Sequence, residues 1–173
     1  MTSHPTAETF IVLEPPRFEH SRPLLIAGLR QRYSPESCDE IPALWERLAP
    51  HLGRIPRRVD PTAYGVCFNS VAPDGSYDYL AGVEVSDVSA RAGDWARVRL
   101  PAQRYAVFRH REHVSTLKDT VGAILGKWLP ESGQELVNSA PEAPNFLERY
   151  TEDFNPHTGM GGMEVWLPVK AVE

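Results

Sequence analysis

The chain has 173 residues, 42% of them hydrophobic and 24% charged, with a net charge of −5. That suffices for one domain with a sizeable core, and no stretch reads as a linker between two. The acidic balance argues against a nucleic-acid surface, which needs a basic footprint for phosphates, and no apolar run is long enough to span a membrane.

Residues 1–20 read as an N-terminal segment, packed or extended, ahead of a single domain over 21–173. "LLIAGL" (24–29) reads as a strand. Ser37 and Glu40 then form an S-x-x-E capping box, and Ile41, Leu44, Trp45, Leu48 and Leu52 repeat at helical spacing, closed by Pro50 and Gly53. The basic cluster after that helix, Arg54, Arg57 and Arg58, reads as a solvated loop. "AYGVCFNSV" (63–71) and "YDYLAGVEV" (77–85) follow as strands around the turn-former Pro73-Asp74-Gly75.

The second half repeats this order. "RYAVFRH" (104–110) is a strand, and Ser115 is the expected N-cap of a helix carrying Leu117, Val121, Ile124, Leu125 and Trp128, stopped by Pro130 and Gly133. "NFLERYTE" (145–152) and "GMEVWLPV" (162–169) make a hairpin across "DFNPHTGMG". Landmarks recur about 80 residues apart: Ala27 and Ala106, Trp45 and Trp128, "GVEV" at 82–85 and "GMEV" at 162–165. The expected fold is therefore α+β, with duplicated strand–helix–strand–strand units near 22–87 and 100–171 in one pseudo-symmetric domain. Both helices should lie on one side of a shared curved sheet, with a central ligand cleft near the pseudo-symmetry axis.

Familiar chemistries are missing. Cys38 and Cys67 are far apart and make neither a disulfide framework nor a zinc pattern, which fits a reducing cytoplasm. Of the six histidines only His110 and His113 are near each other, with no third ligand suggested. "GMGG" (159–162) lies between strands, so it reads as a hairpin turn and not a phosphate loop. No cofactor, no metal, no nucleic acid and no membrane contact are expected.

The aromatic inventory is more suggestive. Tyr64, Phe68, Tyr77, Tyr79, Trp95, Tyr105, Phe108, Phe146, Tyr150 and Trp166 lie on or beside expected strands, and each alone is a good core residue. Tyr77 and Tyr79 share a face and could pair across a ladder. In "PNFLERY" (144–150), alternation puts Glu148 between Phe146 and Tyr150 on one face, with Leu147 and Arg149 on the other. A buried carboxylate costs several kcal/mol unless paired or protonated. Two readings follow: an edge glutamate facing water or bridged to an arginine, or a carboxylate at the base of an aromatic-walled pocket that attracts lipophilic cations.

Several segments together resemble the GyrI-like family, the effector-binding domain also fused to AraC- and MerR-type multidrug-sensing regulators. They are "RYAVFRHR" (104–111), "KWLPESG" (127–133), "PNFLERY" and "MEVWLPVK" (163–170), with "IPALWERL" (41–48), "YGVCFN" (64–69) and "DYLAGVEV" (78–85) in the first half. The family's pattern Phe-Glu-x-Tyr falls on Leu147, Glu148, Arg149 and Tyr150, with leucine in place of phenylalanine and Phe146 one residue earlier. The resemblance implies Glu148 and Tyr150 as ligand-site residues, and the aromatic inventory adds Phe146, Tyr64, Phe68, Trp95, Tyr105 and Trp166 as candidate walls. It implies a binding module for hydrophobic, often cationic or aromatic small molecules, acting by sequestration or through a protein partner such as a regulator or gyrase. The alternative it implies is a hydrolase of strained cyclopropanoid toxins, with Glu148 as general base and Tyr105 or Tyr150 on the leaving side.

Overall fold

The structure, a computed structural model, describes residues 13–55, 58–68, 75–86, 95–137 and 144–170. In chain order these form β1 (Arg17–Ser21), β2 (Leu24–Tyr33), α1 (Ile41–Leu48), β3 (Arg58–Phe68), β4 (Tyr77–Val85), β5 (Ala96–Leu100), β6 (Gln103–His110), α2 (Leu117–Ala123), α3 (Leu129–Ser132), β7 (Pro144–Tyr150) and β8 (Met163–Pro168). All eight strands join one sheet in the order β1-β6-β8-β7-β3-β4-β2-β5, and every neighbouring pair is antiparallel. Exchanging β1–β4 for β5–β8 leaves that order unchanged when it is read from the other end.

Two short links force the sheet to curl. Arg22-Pro23 joins β1 to β2 and Pro101-Ala102 joins β5 to β6, yet each linked pair is six strand positions apart. In a flat sheet that separation is about 29 Å, at roughly 4.8 Å per strand. Three Cα–Cα steps cover only about 11 Å. The sheet therefore bends round until its ends meet at one corner, with Ser21 opposite Gln103 on one side of it and Leu24 opposite Leu100 on the other.

The concave side needs no helix, because Ile26, Val66, Leu80, Leu100, Tyr105 and Leu147 pack on one another across the curl. Both helical regions cover the convex side. Leu44 and Leu48 of α1 join Ala81 and Val83 of β4, while Leu117 of α2 and Ile124 beyond it join Ala106, Phe108 and Val165. Phe146 of β7 packs against both groups, so both helices share one face. Each fully buried leucine contributes about 1.5–3 kcal/mol to holding its helix there.

Helix ends depart from expectation. The capping box does not form: Ser37 Oγ accepts from Ser34 N at 2.9 Å, and a 3-10 turn (Cys38–Glu40) precedes α1. Pro42 sits in the first turn of α1, where its missing N–H removes an unpaired donor. Ser115 is not the second cap either, because His113 Nδ1 accepts from Ser115 N at 3.0 Å to open another 3-10 turn. A π turn over Ile124–Trp128 then links α2 to α3; Leu125 is left exposed and Pro130 enters the first turn of α3. Gly133, at φ 76°, ends the helix. Strands β1 and β5 were not expected. The expected turn at Pro73-Asp74, the strand end at Asn69–Val71 and Arg57 lie outside the described residues.

Candidate functional site

On β7 the side chains alternate as the sequence implies. Leu147 enters the concave core, while Phe146, Glu148 and Tyr150 face the helices. Across the ladder from Glu148 lies Gly65 of β3. Its missing side chain is required, because a Cβ there would sit 2.1 Å from Tyr79 Oη and 2.7 Å from Glu148 Oε1. Over this bare backbone Glu148 reaches β4.

Tyr79 Oη donates to Glu148 Oε1 at 2.7 Å, and Tyr150 Oη donates to the same oxygen at 2.8 Å. Trp45 Nε1, from α1, donates to Tyr79 Oη at 3.0 Å. The Tyr150 ring meets Trp45 at a centroid distance of 5.5 Å and Phe154, in the loop after β7, at 5.1 Å. Glu148 Oε2 accepts no hydrogen bond among the described residues, and no cationic side chain there pairs with the carboxylate. Arg149 points to the concave side and pairs with Glu164 at 3.3 Å. The arginine-bridged reading of Glu148 is thereby excluded among the described residues.

The electrostatics follow from this arrangement. Burial pushes the Glu148 carboxyl above its ordinary pKa, against the opposing pull of the two hydroxyls, although its edge stays partly open to solvent. Burial first, and then the carboxylate's charge, push the Tyr79 and Tyr150 phenols well up, so both remain donors. Cys67, paired with Tyr79 on one side and Phe146 on the other, is buried and its thiol is pushed up by burial and by Glu148. Such a thiol is a poor nucleophile at neutral pH.

Of the expected site residues, the fold brings together Glu148, Tyr150 and Phe146. Tyr64, Phe68, Tyr105 and Trp166 belong to the concave side, with the sheet itself between them and Glu148. The Tyr105 hydroxyl accepts from Gln103 Nε2 at 2.9 Å, and burial pushes its pKa up to about 12. Tyr105 is thus no acid for Glu148. Trp95 packs edge-on against His51 in the helix-side core and not in the carboxylate's shell. Tyr79, Trp45 and Phe154 were missed. Tyr79 had been read as a ladder partner and Trp45 as helix core; the usable signal was an indole N–H that needs an acceptor when buried.

These rings come from both halves of the chain, Trp45 and Tyr79 from the first and Tyr150 and Phe154 from the second. A separate open hollow of about 420 Å³ lies at the sheet rim around Arg22, Glu84 and Arg99, and it shares no lining residue with the carboxylate. Among the described residues no group of His, Cys, Asp or Glu could hold a metal ion, and no helix is long and apolar enough to cross a membrane.

A curled antiparallel sheet, helices on its convex face and a carboxylate set among rings define a small-molecule-binding module. The chain belongs to the GyrI-like family: the GyrI-like small molecule binding domain matches residues 14–170. It is 32% identical over 133 residues to the transcriptional regulator BrlR of Pseudomonas aeruginosa, a match covering 76% of this chain and 47% of that protein. The chain thus spans about half the length of that curated relative. Its fold is similar to that of SAV2435 bound to tetraphenylphosphonium, with a TM-score of 0.70, 18% identity, and 91% and 95% of the two chains covered. It is also similar to the EcmrR C-terminal domain, with a TM-score of 0.62, 14% identity, and 94% and 100% covered.

Proposed function

We propose that the protein binds lipophilic aromatic cations at Glu148, as the ligand-sensing or sequestering module of a regulatory system. The observation that carries this reading is a carboxylate with no counter-ion among the described residues, whose Oε2 has no donor there and whose Tyr150 partner packs its ring against Trp45 and Phe154. A delocalised cation loses little hydration on entering such a place and gains both the carboxylate and the ring faces. Together these interactions are worth on the order of 1–3 kcal/mol of preference for positive charge. The tetraphenylphosphonium bound by SAV2435, which shares the fold, is a ligand of this class. A protein partner would then read the occupied state.

The same reading includes an internal duplication, supported by a strand order that is unchanged when the halves are exchanged. For the alternative, turnover of strained rings, Tyr105 lies across the sheet and Tyr150 spends its hydroxyl proton on Glu148 itself, while the relatives matched are a small-molecule-binding domain and a transcriptional regulator. Tetraphenylphosphonium and tetraphenylborate have one shape and opposite charge. Calorimetric titration should show one cation bound per chain and the anion bound at least tenfold more weakly. Equal affinity for the two would refute the reading.

A further inference from the structure

Glu148 Oε1 is saturated. It accepts one hydrogen bond from Tyr79 and one from Tyr150, at 2.7 and 2.8 Å. The two hydroxyls come from different strands, β4 and β7, and the bare backbone at Gly65 leaves room for the Tyr79 hydroxyl to meet the carboxylate. A proton taken up by the carboxyl therefore belongs on Oε2. There it would replace none of these bonds, and the carboxyl would change from an acceptor into a donor aimed away from both hydroxyls.

The surroundings leave the choice of charge state to the ligand. The titratable groups facing Glu148 are the Tyr79 and Tyr77 phenols of β4, the Tyr150 phenol of β7 and the Cys67 thiol of β3. All four are neutral in the working range, because burial pushes each of them up. Helix α1 meets this group through Trp45, bonded to the Tyr79 hydroxyl, and the loop after β7 through Phe154, packed on the Tyr150 ring, and neither titrates. No fixed cation among the described residues holds the carboxylate ionised, and no second carboxylate holds it protonated.

We propose that the site has a second ligand class: neutral aromatic molecules bearing one strong hydrogen-bond acceptor, such as a phosphine oxide, which bind the protonated form of Glu148 through a hydrogen bond from Oε2. This rests on the cation site proposed above and deepens it, because one atom selects between the two classes. Lipophilic cations take the carboxylate; neutral acceptors take the acid. The raised Glu148 pKa brings the exchange toward physiological pH. The protons balance: a cation releases to solvent the fraction of a proton that the free carboxyl carries at that pH, and a neutral acceptor takes up the remainder of one. Below the pKa, cation affinity falls about tenfold per pH unit while affinity for the neutral acceptor levels off at its maximum.

Triphenylphosphine oxide and tetraphenylphosphonium are suitable probes. Each is titrated into the full chain between pH 4.5 and pH 8, in two buffers of different ionisation enthalpy, so that the heat reports the protons exchanged. The proposal expects release with the phosphonium and uptake with the oxide, with affinities that move in opposite directions as pH falls. Glu148→Gln should abolish both proton exchanges and bind the oxide with no pH dependence, its amide N–H taking the place of the acid. Phosphonium binding with proton release, accompanied by oxide binding that is absent or independent of pH, would overturn the second class and leave the cation site standing. Failure of both probes at every pH would overturn the two together. The proton signs are read on the native chain, so the result does not depend on the variant folding.

Discussion

Two hydroxyls on one oxygen favour the ionised form of Glu148 without outweighing its burial. Each hydrogen bond to a charged acceptor is worth about 1.5–3 kcal/mol, and removing one shifts the proton equilibrium in the direction that burial already pushes it. Tyr150→Phe should therefore raise the Glu148 pKa further and weaken phosphonium binding at neutral pH several-fold, with the loss recovered as pH rises through the new pKa. Tyr105→Phe should leave that affinity unchanged, because Tyr105 lies on the concave side and bonds only Gln103 among the described residues. Parallel titrations of the two variants check both outcomes. Loss of affinity in Tyr105→Phe alone would reverse the assignment of faces.

At the scale of elements, alternation was legible and pairing was not. The sequence places Phe146, Glu148 and Tyr150 on one face of β7, and the structure agrees. It cannot say which face of β3 or β6 lies on that same side, since this depends on register and on the curl. Tyr64, Phe68 and Tyr105 thus looked equivalent to Tyr79; pairing of Gly65 with Glu148 and Ala81 puts the first two on the opposite side, and pairing of Val165 with Glu148 and Phe108 does so for Tyr105. Strands β1 ("RFEHS") and β5 ("ARVRL") are short and half charged, so their pattern falls below any turn or loop background. The π turn had no sequence signal at all. Gly65 has one, in retrospect: a glycine inside "YGVCF" marks a close approach. Gly65→Ala should displace the Tyr79 hydroxyl and cost about 1–3 kcal/mol by overpacking, seen as a lower urea midpoint and weaker cation binding. A variant with native stability and affinity would mean that the three groups are not packed as described.

The two halves should unfold as one cooperative unit, since the concave core draws Leu24, Val66 and Leu80 from the first half and Tyr105, Val107 and Leu147 from the second. The corner links fasten the same two halves at their far edges. Scanning calorimetry should give a single transition whose van't Hoff and calorimetric enthalpies agree; two separate transitions would show halves that fold alone. The site is a property of that whole, with Trp45, Gly65 and Tyr79 from one half and Glu148, Tyr150 and Phe154 from the other. In the proposed function Glu148 is a ligand's counter-ion and not structural glue. Above the folded-state pKa the ionised carboxylate opposes folding, because its pKa is raised by burial and the folded state holds the proton more tightly than the unfolded one. The direct measurement is the tetraphenylphosphonium affinity of Glu148→Gln beside that of the native chain, with the melting temperature of each. The expected affinity is at least about tenfold weaker, equivalent to about 1.4 kcal/mol, with a melting temperature that holds or rises. Unchanged affinity with a lowered melting temperature would contradict it.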